Sequence, residues 1–428
     1  MNAKTKMMEA KRSAAESMLS ALTAPAGEAG WAREARAAAR TRLLEAGAPV
    51  RRDEYWKYTD PAPLTAPLKL VEGTRDAAGA GGDPFSGLTG AVARFVGGRF
   101  RPDLSAPLGA PGMAVATLSE TLAQDISVMR GIFGVLEAAG QEKVARPLAS
   151  LNTAAATEGL AIQATGTDAI IHLRYDNVVE GAALLRHLIR VESGAELTVL
   201  ESGTAANTVI EADVADGGKL RHIRLQNEDR TAVATHIFAR VGAEAAFKTF
   251  TLTADGGLTR NEIVMEMTGD DGVGHIAGAV LAGGDSHVDN TVFVTHDAVN
   301  CETRQVFKNV LGGKARGIFQ GKIFVREGAQ KTDGYQISQA VLLEDGAEFS
   351  AKPELEIYAD DVACSHGSTT GALDPTAMFY LRSRGVPQKT AEAMLIAAFA
   401  EEAIEEIDND DLADAMRAEV ERWMAGRG

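Results

Sequence analysis

Short β-rich runs fill the chain from about Glu158 to Val362, and they constrain its fold more than any other feature. Runs such as AIIHLRY, ELTVLES, LRHIRLQ, TFTLTA and GKIFVRE alternate with Gly, Asp and Asn. Glycines that lie 24 residues apart, each with a valine before it, mark a repeat: Gly194, Gly218 and Gly242 with Val191, Val214 and Val241. This interval fits one coil of a parallel β-helix, whose strands stack on those of neighbouring coils. A β-sandwich with evenly spaced hairpins is the alternative.

Helical segments flank the β-rich region on both sides. Residues 4–48 are rich in Ala, Glu, Arg and Met and predict two helices, and a further helix is predicted at Glu120–Ala139. Beyond Ala372, Asp374 suits an N-cap and Pro375 the first helical position. We therefore predict a mainly β fold, with a parallel β-helix core at 151–371 between an N-terminal helical domain at 1–150 and a C-terminal helical domain at 372–428.

The C-terminal region combines apolar stripes with an acidic run. Two stripes at helical spacing predict amphipathic helices: Ile396, Phe399, Ala403 and Ile407, then Leu412, Met416, Val420 and Trp423. Glu401–Asp414 holds eight Asp or Glu and no Lys or Arg. Such a run is either a solvated helix face or part of a surface that docks onto a partner with a basic rim.

Composition and charge exclude several classes of function. A net charge of −16 and a pI near 5.1 argue against binding to nucleic acid or to an anionic membrane. No run approaches the roughly 18 apolar residues that a bilayer span needs, and the first twenty residues lack the apolar region of a secretory signal. The two cysteines, Cys301 and Cys364, favour a reducing compartment over a disulfide framework. These features predict a cytoplasmic protein.

Glycine-rich segments do not satisfy the known nucleotide-binding patterns. Gly272 and Gly274, followed by Ala277 and Gly278, imitate the G-x-G-x-x-A dinucleotide fingerprint, but more Gly-rich and β-rich sequence follows where a helix should begin. LGGKARG has Ala315 where a phosphate-binding loop needs Ser or Thr. We expect turn glycines here, and no ATP site in this chain.

Two small groups of residues could hold a metal ion. Asp285, His287 and Asp289 alternate along one predicted strand and share a face, although a polar outer face of a coil is the simpler interpretation. Cys364 and His366 also share a face, directly after the last β run, and both are good iron ligands. Two ligands cannot close a cluster, so a site at this pair requires ligands from another chain. The alternative is a half-buried structural cysteine beside a surface histidine.

Long motifs resemble the SufB/SufD family of iron–sulfur cluster assembly scaffold proteins. The stretches CETRQVFKNVLGGKARGIFQGKIFVREGAQKTDGYQ and KPELEIYADDVACSHGSTTGALDPTAMFYLRSRGV carry the resemblance, and EYWKYTD is similar to a signature that precedes the core. The SufD branch is favoured because the chain is shorter than SufB, lacks its cysteine-rich N-terminal segment, and has Leu381 where SufB-like chains tend to have Cys.

The resemblance implies a right-handed parallel β-helix and a non-catalytic role in a SufBCD complex. In such a complex the chain would pair with SufB through the β-helix and bind the ATPase SufC through its C-terminal helices, or form a homodimer when alone. A transient iron–sulfur cluster would form at the SufB–SufD interface, where His366 is implicated with Cys364 beside it. The expected SufC contact region comprises Phe379, Arg382, Arg384, Ile396 and Phe399.

A rival interpretation is a β-helix enzyme that acts on a polysaccharide or acyl substrate. Such enzymes need carboxylates or a catalytic histidine in a groove along the coils. In this chain the most suggestive residues, Cys364 and His366, lie instead at one end of the β-rich region.

Overall fold

The computed structural model describes residues 3–22, 25–66, 83–176, 184–227 and 232–427. Its centre is a parallel β-solenoid of about seven coils, built from two sheets to which the chain contributes strands alternately. The predicted β-helix is therefore confirmed, and the β-sandwich alternative is wrong. The strands are β1 (Val92–Val96), β2 (Arg99–Phe100), β3 (Met113–Thr117), β4 (Leu160–Ala164), β5 (Ala169–Asp176), β6 (Leu184–Val191), β7 (Glu196–Gly203), β8 (Asn207–Val214), β9 (Lys219–Gln226), β10 (Ala232–Val241), β11 (Ala246–Ala254), β12 (Leu258–Met267), β13 (Val273–Ala282), β14 (His287–His296), β15 (Glu302–Leu311), β16 (Arg316–Val325), β17 (Asp333–Leu342), β18 (Glu348–Ile357) and β19 (Ala363–Gly371).

Helices lie at both ends of the chain. The predicted N-terminal pair is confirmed, but the helix predicted at Glu120–Ala139 is wrong, because two short α-helices and a 3-10 turn at Val128–Gly131 replace it. Gly134, which has a φ of 70°, separates that turn from the second of these helices. The α-helices are α1 (Ala3–Ser20), α2 (Gly30–Ala46), α3 (Ala62–Thr65), α4 (Leu118–Ala123), α5 (Val135–Ala139), α6 (Pro147–Ala155), α7 (Pro375–Ser383), α8 (Gln388–Ile404) and α9 (Asp410–Gly426).

In-register stacking sets the coil length, which differs from the predicted repeat of 24 residues. Val191, Val214 and Val241 are true register partners, so successive coils take 23 and then 27 residues. Later coils are longer, since Ile323 pairs with Leu355, 32 residues further on. The backbone turns at one corner through a left-handed residue in each coil, which is glycine in the early coils and another residue later: Gly194, Gly217, Glu244, Asp271, Asn300 and Lys331. The glycine spacing therefore located the coils but not their length.

Side chains alternate between the interior of the solenoid, called the lumen here, and its outer face. Most of the lumen is apolar, but a polar network crosses it at Glu201, which is fully buried. His222 and Arg224 each hydrogen-bond the Glu201 carboxylate at 2.6 Å, and Tyr175 donates to it as well. Burial alone would raise the pKa of Glu201, but Arg224 and His222 outweigh this effect and hold it well below the usual range. These partners stabilise the buried carboxylate, whose charge would otherwise be very unfavourable in the lumen.

The EYWKYTD loop is anchored on the solenoid and lies across the outer face of four strands. The Arg260 guanidinium of β12 lies 4.1 Å from the centre of the Trp56 ring, and Thr59 hydrogen-bonds His287 and Asp289 of β14. In the last coils, the Tyr55 carbonyl accepts from Gln320 Nε2, the Tyr55 hydroxyl donates to Glu354, and Lys352 pairs with Glu54 at 2.9 Å. The loop therefore staples β12, β14, β16 and β18 together.

The C-terminal stripes pack on the chain's own solenoid. Ile396, Leu412, Met416 and Val420 are buried against the outer face of the larger sheet, in a cluster that includes Phe250. Asp374 caps α7, since its side chain accepts a hydrogen bond from the backbone N–H of Thr376. Both predicted stripes are therefore internal docking faces for α8 and α9.

Ion pairs fix the linker between α8 and α9 above this apolar contact. Arg221, Lys248, His275 and Arg304 are register partners on neighbouring strands and form a basic row on the outer face. The acidic side chains that meet this row belong to the linker: Asp408 with Arg221 at 2.7 Å and Lys248 at 3.3 Å, and Glu406 with His275 at 2.9 Å and Arg304 at 3.4 Å. Glu402 of α8 pairs with Lys308, while Glu401 and Asp414 pair with Arg417. Most of the acidic run is thus neutralised within the chain.

No helix among the described residues has both the length and the apolar character that a bilayer span requires.

Met416 tests the docking of the C-terminal helices. Met416→Ala is expected to lower the free energy of unfolding by about 2–5 kcal/mol, because it leaves a cavity at a fully buried position between α9 and the sheet. The matched change Met394→Ala removes a side chain that is 49% exposed and should cost under about 0.5 kcal/mol. Urea unfolding followed by tryptophan fluorescence measures both, and equal losses would contradict the docking.

Buried neutral histidines predict acid sensitivity. Burial lowers the pKa of His187, His236 and His296 to about 4. Between the unfolded value of about 6.5 and this folded value the unfolded chain binds more protons, so the free energy of unfolding should fall as pH drops from 6.5 towards 4. His296→Gln should flatten the slope near pH 5 by up to about 1.4 kcal/mol per pH unit. Urea unfolding at a series of pH values checks this, and an unchanged slope would contradict it.

Candidate functional site

Within the described ranges, no further strand pairs with the last strand of either sheet, so both sheets have an open edge at this end. β18 is the outermost strand of the smaller sheet and pairs with β16, while β19 is the outermost strand of the larger sheet and pairs with β17. Most of β19 is exposed, and most of β18 is half-buried. Such edges present unpaired backbone N–H and C=O groups to another chain.

The register of β19 directs alternate side chains towards the lumen at this open end. Cys364 packs beside a small apolar cluster that contains Ile323 and Ala329, and the Ser368 hydroxyl lies 2.8 Å from that of Ser338. His366 lies between Cys364 and Ser368 in the same alternation and is exposed. The structure therefore places the two predicted site residues, Cys364 and His366, on one face at the mouth of the lumen.

Cys364 is protonated before any ligand binds. Burial raises the pKa of its thiol above the ordinary value, and nearby Asp333 adds to the effect, although a hydrogen bond from the Gly334 backbone opposes it. Only the thiolate is a good metal ligand or nucleophile. A metal ion that used Cys364 as a ligand would therefore have to displace the thiol proton.

The His366 imidazole is exposed, and both of its ring nitrogens are available to bind a ligand. It makes no hydrogen bond or ion pair with any residue in the described part of the chain. No three His, Cys, Asp or Glu side chains come together as a metal site within the described ranges either. Cys364 and His366 thus form a candidate two-residue site next to an open strand edge.

The other metal candidate is explained by folding. Asp289 is fully buried beneath the N-terminal loop, where it pairs with Arg260 and accepts a hydrogen bond from Thr59, which also contacts His287 at 2.9 Å. Asp285 lies in the turn before β14. The expected polar outer face is thus not solvated, since the loop covers it, and His287 and Asp289 hold that loop in place.

The glycine-rich segments serve the coils. Gly272 lies in the turn before β13, whereas Gly278 lies within β13, where a Cβ atom would approach the Phe307 ring to 2.9 Å. Gly278 is therefore needed so that an aromatic ring can fill the lumen.

The predicted SufC contact region divides into exposed and internal residues. Ile396 is 3% exposed and belongs to the core, so its inclusion in a partner surface is wrong, and Phe399 is half-buried with Lys308 Nζ 4.9 Å from its ring centre. The remaining predicted residues lie at the surface: Phe379, which is 74% exposed, with Arg382 and Arg384.

Two further exposed hydrophobic residues escaped the sequence analysis. Tyr380 is 56% exposed and lies next to Phe379 on α7, whereas Met394 is 49% exposed and lies on α8. The sequence could have predicted their exposure, because neither residue belongs to an apolar stripe at helical spacing that would pack on the core. We call Phe379, Tyr380 and Met394 with Arg382 and Arg384 the α7 surface.

Comparison with known proteins agrees with the resemblance read from the motifs. A family model described as the SufBD core domain of SUF-system FeS cluster assembly matches residues 174–399, more than half of the chain. The iron–sulfur cluster assembly protein SufD of Escherichia coli is 29% identical over 90% of this chain and 91% of its own length. A SufBD family iron–sulfur cluster assembly protein of Synechocystis is 28% identical over 86% of each chain. With its β-solenoid and these matches, the chain belongs to the SufB/SufD family of iron–sulfur cluster assembly proteins.

Proposed function

We propose that this chain is a SufD-type scaffold subunit of a cytoplasmic SufBCD complex, in which it completes a cluster-forming site with SufB. The observation that carries the proposal is the placement of Cys364 and His366 together at the lumen mouth, on a strand with a free edge. Iron and sulfide are cargo at such a site. The chain itself offers two ligands, so a homologous partner must supply the others.

Pairing through the open end is favoured by the geometry of the last coil. β18 and β19 offer two adjacent edges, and a second solenoid of the same family would present equivalent edges. Backbone pairing along these two edges would supply the affinity of such a contact. The same edges would support a homodimer when SufB is absent.

The α7 surface is the proposed contact for the ATPase SufC. It combines two exposed aromatic rings with two arginines, the residue types that contribute most to protein–protein binding. α8 and α9 are fixed to the solenoid by the apolar core and the ion pairs described above. A force applied at α7 would therefore be transmitted to the coils. ATP hydrolysis belongs to the partner in this proposal, and this chain has no catalytic role.

His366 is the first test of the proposed site. His366→Ala is expected to lower the rate of cluster formation by the reconstituted complex at least roughly 10-fold, because an iron ligand is lost, while the complex itself stays intact. The control Ser365→Ala alters the neighbouring exposed residue, which faces the opposite side of β19, and should keep full activity. Iron and sulfide content after gel filtration measures the outcome. Full activity of the His366 variant would leave the chain as a structural partner alone.

Phe379 tests the contact with the ATPase. Phe379→Ala should raise the Kd for SufC roughly 30-fold, since an exposed aromatic anchor at an interface contributes about 2 kcal/mol. Ile126→Ala removes a hydrophobic side chain that is 92% exposed in the N-terminal region, and it should leave the Kd unchanged. Isothermal titration calorimetry gives both values. Equal binding by the two variants would place the contact elsewhere.

A further inference from the structure

Buried glutamines lead from the interior of the last coils to His366. Gln305, Gln336 and His366 are successive register partners on β15, β17 and β19, and their side chains point into the lumen. Gln305 and Gln336 are both fully buried. Register partners on neighbouring strands lie about 4.8 Å apart, which is within reach of a glutamine amide and an imidazole.

One end of the Gln336 amide is held by the chain. Gln336 Nε2 donates a hydrogen bond to Gln305 Oε1 at 2.8 Å. The same amide nitrogen lies against Gly321 of β16, where a Cβ atom would approach it to 2.0 Å, so only glycine leaves room for Gln336 in this orientation. The amide nitrogen thus faces Gln305, whose own Nε2 is buried without a hydrogen-bond partner.

The other end of this amide has no partner. Gln336 Oε1 is inaccessible to solvent and accepts no hydrogen bond within the described part of the chain. A buried acceptor without a donor is energetically unfavourable, so any donor that comes within reach is favoured. His366 is the neighbouring residue on the open side and has two ring nitrogens without partners.

We propose that Gln336 is a positioning residue: when the His366 ring turns towards the lumen, Gln336 Oε1 accepts a hydrogen bond from one ring N–H and so directs the other ring nitrogen towards the open edge. In neutral imidazole one nitrogen donates and the other accepts, so holding the donor selects the tautomer and leaves the second nitrogen as the ligand. Histidine ligands commonly donate their other ring N–H to a carbonyl oxygen, and the glutamine amide supplies one here. The inference rests on the proposed function in taking His366 as the residue that meets the cargo.

The test reads the tautomer of His366 in the full-length chain, without any cluster. Histidine labelled with ¹⁵N at both ring positions reports the tautomer ratio by NMR at pH 8.5. Loss of a signal in His366→Gln assigns the residue. Gln336→Leu removes the acceptor at similar volume and should change the ratio roughly 2- to 10-fold, the equivalent of one hydrogen bond. Gln163→Leu makes the same change in β4, near the opposite end of the solenoid, and should change nothing.

A conservative variant separates hydrogen bonding from packing. Gln336→Glu keeps an oxygen at the position of Oε1 and should restore the ratio, whereas Gln336→Asn withdraws the amide by one methylene and should behave as Gln336→Leu does. The Asn variant also serves if the Leu variant fails to fold, as judged by circular dichroism. Ring signals of His366 that are unchanged in the Leu and Asn variants would overturn the proposal. A change that Gln336→Glu fails to reverse would overturn it too.

The same variants in the reconstituted complex separate this inference from the proposed function. Gln336→Leu should slow cluster formation with the complex intact, and Gln336→Glu should recover it. If His366→Ala leaves cluster formation intact, the proposed function fails, whereas the tautomer measurement still decides whether Gln336 orients His366.

Discussion

In-register stacking of coils is the constraint on which the rest of this structure depends. Each coil satisfies its backbone hydrogen bonds on the coils before and after it, so the two ends of the stack must be treated differently. At the N-terminal end, antiparallel pairing of β1 with β2 and of β3 with β4 interrupts the parallel pattern. At the C-terminal end, the edges of β18 and β19 remain open. The proposed partner surface is therefore a consequence of how the solenoid ends, and the ligands of the proposed site lie there because β19 is the last strand.

The net charge of the chain does not show how many of its carboxylates are neutralised by internal ion pairs. The excess of acidic residues suggests a repulsive surface, yet many carboxylates are committed to internal pairs. Glu201 is held ionised in the lumen by Arg224 and His222, and Glu406 and Asp408 bind the basic row on the outer face. Burial of ions is costly without a partner, and each of these has one. The acidic run therefore acts within the fold, by setting where α8 and α9 lie on the sheet, more than as a free surface for other proteins.

Local patterns predicted the elements well, but pairings between distant segments were only partly within reach. The β runs, the two N-terminal helices and the Asp374 cap follow from short-range chemistry, and long motifs identified the family. Coil length was missed because glycine is not obligatory at the corner, where Asp271 and Asn300 adopt the same left-handed backbone. Ile396 was misassigned because an apolar stripe does not reveal whether it meets the chain's own sheet or another protein. The sequence did not predict a role for Gln336, because its position next to His366 depends on strand register, which the sequence does not show.

The N-terminal loop and the C-terminal helices both pack on surfaces that several coils build together, which constrains the order in which the chain folds. Trp56 and Thr59 contact strands from different coils, and the stripe that contains Met416 packs on a sheet face made of several strands. Neither segment can dock until those strands have stacked, because its binding surface does not exist in a single coil. Since α7 has no buried residue of its own and contacts α8, its position depends on the docking of α8 and so on the completion of the central coils. A partner that recognises α7 in its docked position would select finished subunits over nascent ones, without a separate checkpoint.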